Sequence, residues 1–533
     1  MTQKTKQYLR DNLAVIIAFT AASALACALM FTVLSYDYID YDSSYQYALT
    51  QHDIPEIFRL LPYDYSPPFY AIALKLYSMV FGNSLFVMRT FSLVAVVGML
   101  FVAAFPVNSL FGKRSALICV SATLASGIML TILTQIRPTI FAMFFYMAAA
   151  VYAVTAYIRE KRYAYICFTV FSVLSMYTHN IALVGVFCIY VVLLAACLVR
   201  KNRKKLGYFF ISGCICAVLY IPWLGVLLGQ VSNVSDHFWT ANFTVFTTLS
   251  WTFTVHMNSI SSLSYIALTL IFGAGLLIGF LKHIRFRELK NAKKIRDAFR
   301  PCTEKEKYSS MLLLALFLVT ALIMLQVIFT LVKNITSERY CAIIGTAWIV
   351  LSSALLGTVG NRIVNLIIVV SMLLNQCMNI GALIKNVEAA DRSKMVSTLT
   401  SLFPDGNISF LHNNEWSIGI MSYYFPDATH YVCDDTFTVL RTFDVFPTDI
   451  VDIGDYHYIW QYTDDCLIPD FSLATGDDIK RADYSQIRRE LSEGDCFSEE
   501  LSFTITYNAV LANRNITYIS RRSDTKTGDD IEG

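Results

Sequence analysis

The feature that most constrains this chain is a series of apolar runs, each about as long as a membrane is thick. A bilayer core of about 30 Å needs about 20 consecutive apolar residues in helical form. Such runs fall at 13–35, 85–111, 115–134, 138–157, 163–178, 181–199, 207–229, 262–281, 309–332, 340–357 and 363–384. They predict a polytopic α-helical membrane protein with about eleven transmembrane helices. Only 15% of the residues are charged, against about 25% in soluble domains, which excludes a string of soluble domains. With 37 Phe and 31 Tyr to hide, disorder is excluded too. A further apolar stretch, Pro67 to Gly82, is short and opens on two prolines, so it reads as a re-entrant or interfacial helix.

Charge sets the expected orientation. Lys and Arg collect in alternate loops: Lys113-Arg114, Arg159 to Arg162, Arg200 to Lys205, the long loop Lys282 to Lys307, and Arg362. By the positive-inside rule these loops are cytoplasmic. The N-terminus is then cytoplasmic too, and 36–66, 135–137, 179–180, 230–261 and 333–339 face outward. The expected location is the plasma membrane.

From about Asp391 the long apolar runs stop, and acidic residues outnumber basic ones roughly two to one. This predicts a membrane domain over 1–390 and a small extracytoplasmic α/β domain over 391–533. The expected strands are Ile408–Leu411, Ile450–Ile453, Tyr456–Tyr462 and Phe503–Tyr507, with a helix over Tyr484–Leu491. No basic face with interleaved aromatics marks a nucleic-acid partner. The cysteines have no metal-binding spacing, and only Cys433, Cys466 and Cys496 fall in the tail, enough for one disulfide.

The outer loops hold the unusual residues. Tyr45, Ala48, Leu49 and His52 recur at helical spacing, and Asp53-Ile-Pro-Glu56 has the form of a capping box. Loop 36–66 should therefore form two short amphipathic helices on the outer leaflet. Ionisable residues at span ends are costly, which makes Asp42, Arg137, His179 and Arg339 informative. A lone Arg at such a place snorkels to the interface, and a lone His caps a helix. Four of them, each at the outer end of a different span, can be gathered around one cavity by folding. There two guanidiniums can grip a phosphate while a carboxylate accepts a proton from a hydroxyl.

Several short motifs follow in a fixed order: Tyr41-Asp-Ser-Ser-Tyr-Gln-Tyr, Ser66-Pro-Pro-Phe-Tyr70, Phe81-Gly-Asn-Ser and Met88-Arg-Thr-Phe. Further along come Gln135-Ile-Arg137, Tyr177-Thr-His179, Ile221-Pro-Trp223 and Arg339-Tyr340. Together they resemble the C-type-fold glycosyltransferases that use polyprenyl-phosphate sugars, the protein O-mannosyltransferase and aminoarabinose-transferase-like bacterial membrane enzymes. The resemblance spans most of 1–360. It implies inverting transfer of a sugar from a polyprenyl-phosphate donor to a glycan, lipid or protein hydroxyl at the outer face.

Asp42 matches the catalytic Asp, with Asp40 as a second carboxylate close by. Arg137, Arg339 and Tyr340 would hold the donor phosphate, and Tyr45, Asp64, Ser66 and His179 would line the cavity. The match has departures. Ser43 stands where many members have Glu, Ser66 where they have His, Gln135 where they have Glu, and Thr139 where they have Tyr. Three of these remove metal ligands or proton carriers, which weakens the case for a divalent metal; no cofactor is otherwise implied. They also keep open an inactive relative acting as a scaffold. A lipid or glycan transporter would be expected to show internal repeats or broken midplane helices with buried charges, and the sequence has neither.

Overall fold

The computed structural model describes residues 3–34, 36–63, 66–237, 244–253, 306–331, 337–359, 361–390, 392–403, 405–412, 415–433, 440–443, 449–470, 484–492, 496–507 and 510–521. The expected span 262–281, most of the basic loop before it meets residue 306, and Asp64 lie outside the described residues.

A long first helix, α1 (Gln3–Val33), leads into two short ones, α2 (Tyr41–Leu49) and α3 (Ile54–Leu60). Next come α4 (Phe69–Phe81), α5 (Leu85–Phe111), α6 (Lys113–Leu124), α7 (Gly127–Leu133), α8 (Thr139–Arg159), α9 (Arg162–Thr178), α10 (Asn180–Val199), α11 (Arg203–His237) and α12 (Val245–Phe253). The series resumes with α13 (Glu306–Leu331), α14 (Glu338–Val359) and α15 (Arg362–Ala389). Among the described residues, eight helices are long and apolar enough to cross a membrane. At 13 residues α4 is too short to span, as its two leading prolines suggested. The run 115–134 is not one helix. It divides at Ala125-Ser126 into α6 and α7, where Ser126 adopts an extended backbone ahead of Gly127.

Two helices form the centre of the bundle. The apolar windows of α8 and α14 are 89% and 83% buried, more than those of any other long apolar helix described. They pack on each other and both touch α5 and α10. Basic residues gather at the ends of the bundle away from α2. Lys205 Nζ lies 3.0 Å from Glu160 across the α10–α11 and α8–α9 junctions, and Arg159 Nη1 donates to Ser109 Oγ at 2.9 Å.

Beyond α15 the chain forms α16 (Arg392–Ser401), then a six-stranded sheet of order β3-β2-β1-β4-β6-β5. Its strands are β1 (Ser409–His412), β2 (Thr429–Val432), β3 (Asp449–Asp452), β4 (Asp465–Asp470), β5 (Phe497–Tyr507) and β6 (Val510–Ser520). Helices α17 (Glu415–Tyr424), α18 (Leu440–Phe443) and α19 (Tyr484–Leu491) accompany it. The first four strands run parallel, and β5 and β6 form an antiparallel hairpin against β4. The segment expected as a strand at Tyr456–Tyr462 is a 3₁₀ helix. Asp455 caps it, accepting from the His457 N–H, and this local bond outweighs the aromatic β-propensity. Cys433, Cys466 and Cys496 are all free thiols.

The two helices expected to lie on the leaflet surface do form. Asp53 caps α3 by accepting from Glu56 N at 2.8 Å. Yet α2 is not a surface helix: Ser43, Ser44, Tyr45, Gln46, Ala48 and Leu49 are all buried. It lies between the bundle and the sheet-bearing unit, touching α17 and α18. The apolar stripe read as a lipid-facing side is a packing face.

Candidate functional site

The site is built where helix N-termini converge. Arg137 sits in the loop entering α8, directly ahead of its N-cap Pro138. Arg339 occupies the first turn of α14, and His179 is the N-cap of α10. Because α8 and α14 are the packed centre of the bundle, their first residues are fixed close together. Asp42, in the first turn of α2, enters between them. Its Oδ2 accepts from Arg339 Nη1 at 2.6 Å, and its Oδ1 pairs with Arg137 Nη2. All three side chains are 12–16% exposed, so water reaches the cluster without flooding it. Charge-assisted bonds of this kind are roughly twice as strong as neutral ones.

Asp40 and Ser43 prepare that arrangement. Asp40 is the N-cap of α2, and its carboxylate accepts from Ser43 N at 3.1 Å and from Ser43 Oγ at 2.8 Å. Ser43 Oγ in turn accepts from Ile136 N at 3.1 Å. One hydroxyl thereby joins the start of α2 to the residue before Arg137. Gln135 is buried, with its carbonyl accepting from Ser92 Oγ at 3.1 Å. Ser43, one departure from the resemblance, thus holds backbone in place, whereas at Gln135, another, it is the backbone carbonyl that is bonded. Neither side chain can replace a metal-binding carboxylate. Both oxygens of Asp42 are engaged by guanidiniums, and among the described residues no group of three His, Cys, Asp or Glu could hold a metal ion. These residues do not fit a metal.

His179 packs edge-on against Tyr340, ring centres 5.0 Å apart. Its Nδ1 accepts from Ile181 N at 3.2 Å, which leaves Nε2 as the protonated nitrogen. Surrounding protein first, then the guanidiniums of Arg339 and Arg137, push its pKa down to about 3. It is a neutral hydrogen-bond donor at working pH, not a cation. Of the remaining expected cavity residues, Tyr45 packs against Phe443 of α18, and Ser66 is half-buried ahead of α4.

One residue of consequence was quoted in a motif without a role. Arg89, within the apolar span α5, is 1% exposed. Its guanidinium donates to the carbonyl of Tyr38 and lies 4.2 Å over the Tyr38 ring. It thereby ties down the connector that delivers Asp40 and Asp42. The signal was present, since a charge inside an apolar span is costly unless it has work to do.

Residues 65–225 match the dolichyl-phosphate-mannose-protein mannosyltransferase family. That stretch holds Arg89, Arg137 and His179, while Asp42 and Arg339 lie outside it. No curated protein matches at the sequence level. Among solved structures, the chain is similar to ArnT from Cupriavidus metallidurans in the apo state, with a TM-score of 0.57 at 12% identity, covering 95% of this chain and 97% of that one. The same enzyme bound to undecaprenyl phosphate gives 0.57 at 10% identity and the same coverage. The Archaeoglobus fulgidus oligosaccharyltransferase, tethered to an acceptor peptide, gives 0.50 at 12% identity over 78% of this chain and 63% of that one. At such identities the likeness is one of fold. The resemblance drawn from the motifs holds, and the chain is a multi-pass membrane protein with the C-type glycosyltransferase fold.

Proposed function

We propose that this chain is an inverting glycosyltransferase that moves a sugar from a polyprenyl-phosphate donor to an acceptor hydroxyl. The observation that carries the reading is Asp42 set between Arg137 and Arg339, three residues from three separate elements. The family match and the shared fold support the donor class. One of the similar structures, ArnT, was solved with undecaprenyl phosphate.

The assignment of roles follows from charge. Arg137 and Arg339 each start a central helix, where the positive end of the helix dipole adds to the guanidinium. A lipid phosphate settling there takes over the arginine hydrogen bonds and releases the Asp42 carboxylate. Asp42 then accepts the proton of the acceptor hydroxyl as that oxygen attacks the anomeric carbon. The sugar–phosphate bond breaks from the opposite face, and its electrons remain on the lipid phosphate, which the two guanidiniums stabilise. Tyr340 and the neutral His179 Nε2–H supply further donors at the edge of the site. Asp40 is committed to capping α2, so the base is Asp42.

The sheet-bearing unit and the site lie at one end of the bundle, and the basic clusters lie at the other. With the positive-inside rule this supports a cytoplasmic N-terminus and an extracytoplasmic site in the plasma membrane, with residues 391–533 as an outer domain. The test is direct. Purified protein in nanodiscs, given a panel of undecaprenyl-phosphate sugars, should release undecaprenyl phosphate when membrane-lipid or glycan acceptors are added. Failure to release lipid phosphate or transfer sugar with every donor and acceptor class would favour the scaffold reading.

A further inference from the structure

The helix that carries Asp42 is gripped from two sides. On the bundle side it is held by the arginines and by the Ser43–Ile136 bond. On the other side it meets the sheet-bearing unit at unusually close range. A Cβ at Gly419 of α17 would come 2.4 Å from Ser44 Oγ and 3.0 Å from Phe443 Cζ. Helices α2 and α17 approach this closely only because residue 419 has no side chain. Ser44 is fully buried in the contact. Five residues on, Tyr424 Oη accepts the Ile39 N–H at 3.0 Å, so the same helix holds the backbone just ahead of the α2 cap. A tail that was merely tethered to the bundle would need neither contact.

We infer that the sheet-bearing unit is a positioning element for the catalytic base, with Gly419 and Tyr424 fixing α2 so that Asp42 stays seated between Arg137 and Arg339. The inference rests on the glycosyl-transfer reading for its consequence, but the grip itself can be measured without activity. Gly419→Ala puts a methyl against Ser44 Oγ and tilts α2. Misplacement of a reacting group by about 1 Å costs up to about 10²-fold in rate. Tyr424→Phe removes one hydroxyl without adding volume.

Full-length protein in nanodiscs should be assayed for kcat, donor KM and amide hydrogen exchange over residues 41–49. In Gly419→Ala, kcat should fall about 10–10²-fold with donor KM unchanged, since the added methyl meets Ser44 and Phe443 first. Exchange over 41–49 should rise, while exchange over α8 and α14 stays as in the wild type. Adding Ser44→Ala should return kcat to within about threefold of Ser44→Ala alone, because it removes the atom the methyl strikes. Tyr424→Phe should show the same pattern more weakly, and it carries the test should Gly419→Ala fail to fold. Unchanged exchange over 41–49 in both variants overturns the inference, as does faster exchange with undiminished kcat. A wild type inert toward every donor, with exchange still coupled to Gly419, sinks the transfer reading and leaves the grip established.

Discussion

Replacing Asp42 by Asn keeps the shape of the side chain and removes its charge, and three measurements then part company. The first is rate. An amide cannot accept the acceptor proton, and general-base assistance is worth about 10²–10⁴-fold, so transfer should fall by that factor. The second is stability. Asp42 accepts one bond from each of two arginines, and Asn retains one accepting oxygen, so one charge-assisted bond is lost. Such bonds are worth about 1.5–3 kcal/mol, and the unfolding free energy should drop by about that amount. The third is donor affinity, which should not fall. In the wild type the lipid phosphate must displace the Asp42 carboxylate from both guanidiniums; in Asp42→Asn it meets no competing anion. Undecaprenyl-phosphate binding, measured by tryptophan quenching or by native mass spectrometry in nanodiscs, should be as tight or tighter. Transfer at the wild-type rate would remove Asp42 as the base. Binding lost in parallel with transfer would mean that Asp42 builds the phosphate site rather than competing for it.

Arg137→Ala and Arg339→Ala should each weaken undecaprenyl-phosphate binding about 10–10²-fold, the equivalent of one charge-assisted bond. Lys should restore only part of this because it lacks the planar fork, and unchanged binding in both Ala variants would dismiss the arginine site. An impermeant thiol reagent added to intact cells should label Tyr458→Cys in the sheet-bearing unit and spare Lys204→Cys at the α10–α11 junction; the reverse pattern would invert the topology. The sheet-bearing unit should lose stability in acid. His412 and His430 lie buried and stacked on β1 and β2, Nε2 to Nδ1 at 2.7 Å, and His412 Nδ1 meets Ser417 Oγ of α17 at 2.8 Å. Burial holds both imidazoles below the ordinary 6.5, His430 at about 3, with its neighbour further disfavouring charge on His412. Groups held neutral in the fold contribute fully above pH 6.5 and lose that contribution as the pH falls toward 3. The midpoint for loss of near-ultraviolet dichroism should therefore be flat above pH 6.5 and fall below it, and a His412→Gln/His430→Gln variant should flatten the decline.

Much of the site was readable along the chain because membranes penalise charge. Asp42, Arg137, His179 and Arg339 stood out as ionisable groups at the ends of apolar runs, and the fold does bring them together. Arg89 carried the same signal inside a run but had no visible partner, because its partner is a backbone carbonyl, which no residue type announces. Asp40 stood out as a second carboxylate, and its capping of α2 was not visible along the chain. Ser43 looked like an erosion of the family pattern, whereas its hydroxyl bridges Asp40 to the Ile136 amide.

The sequence by itself determined the order of most membrane helices, the short α4, the switch to an acidic α/β tail, and the membership of the charged cluster. Each follows from a one-dimensional quantity: the length of an apolar run, the sign of a loop's charge, or a charge placed where lipid would reject it. Only the tertiary structure decided which face of α2 is buried, that the apolar run at 115–134 breaks at Ser126, and that α17 reaches α2 through Gly419. An amphipathic stripe has the same pattern whether it meets lipid or protein, and a glycine in a helix does not name the helix it lets approach. Those outcomes depend on what lies across the contact, hundreds of residues away in the chain, and there the linear pattern holds no information until the bundle has packed.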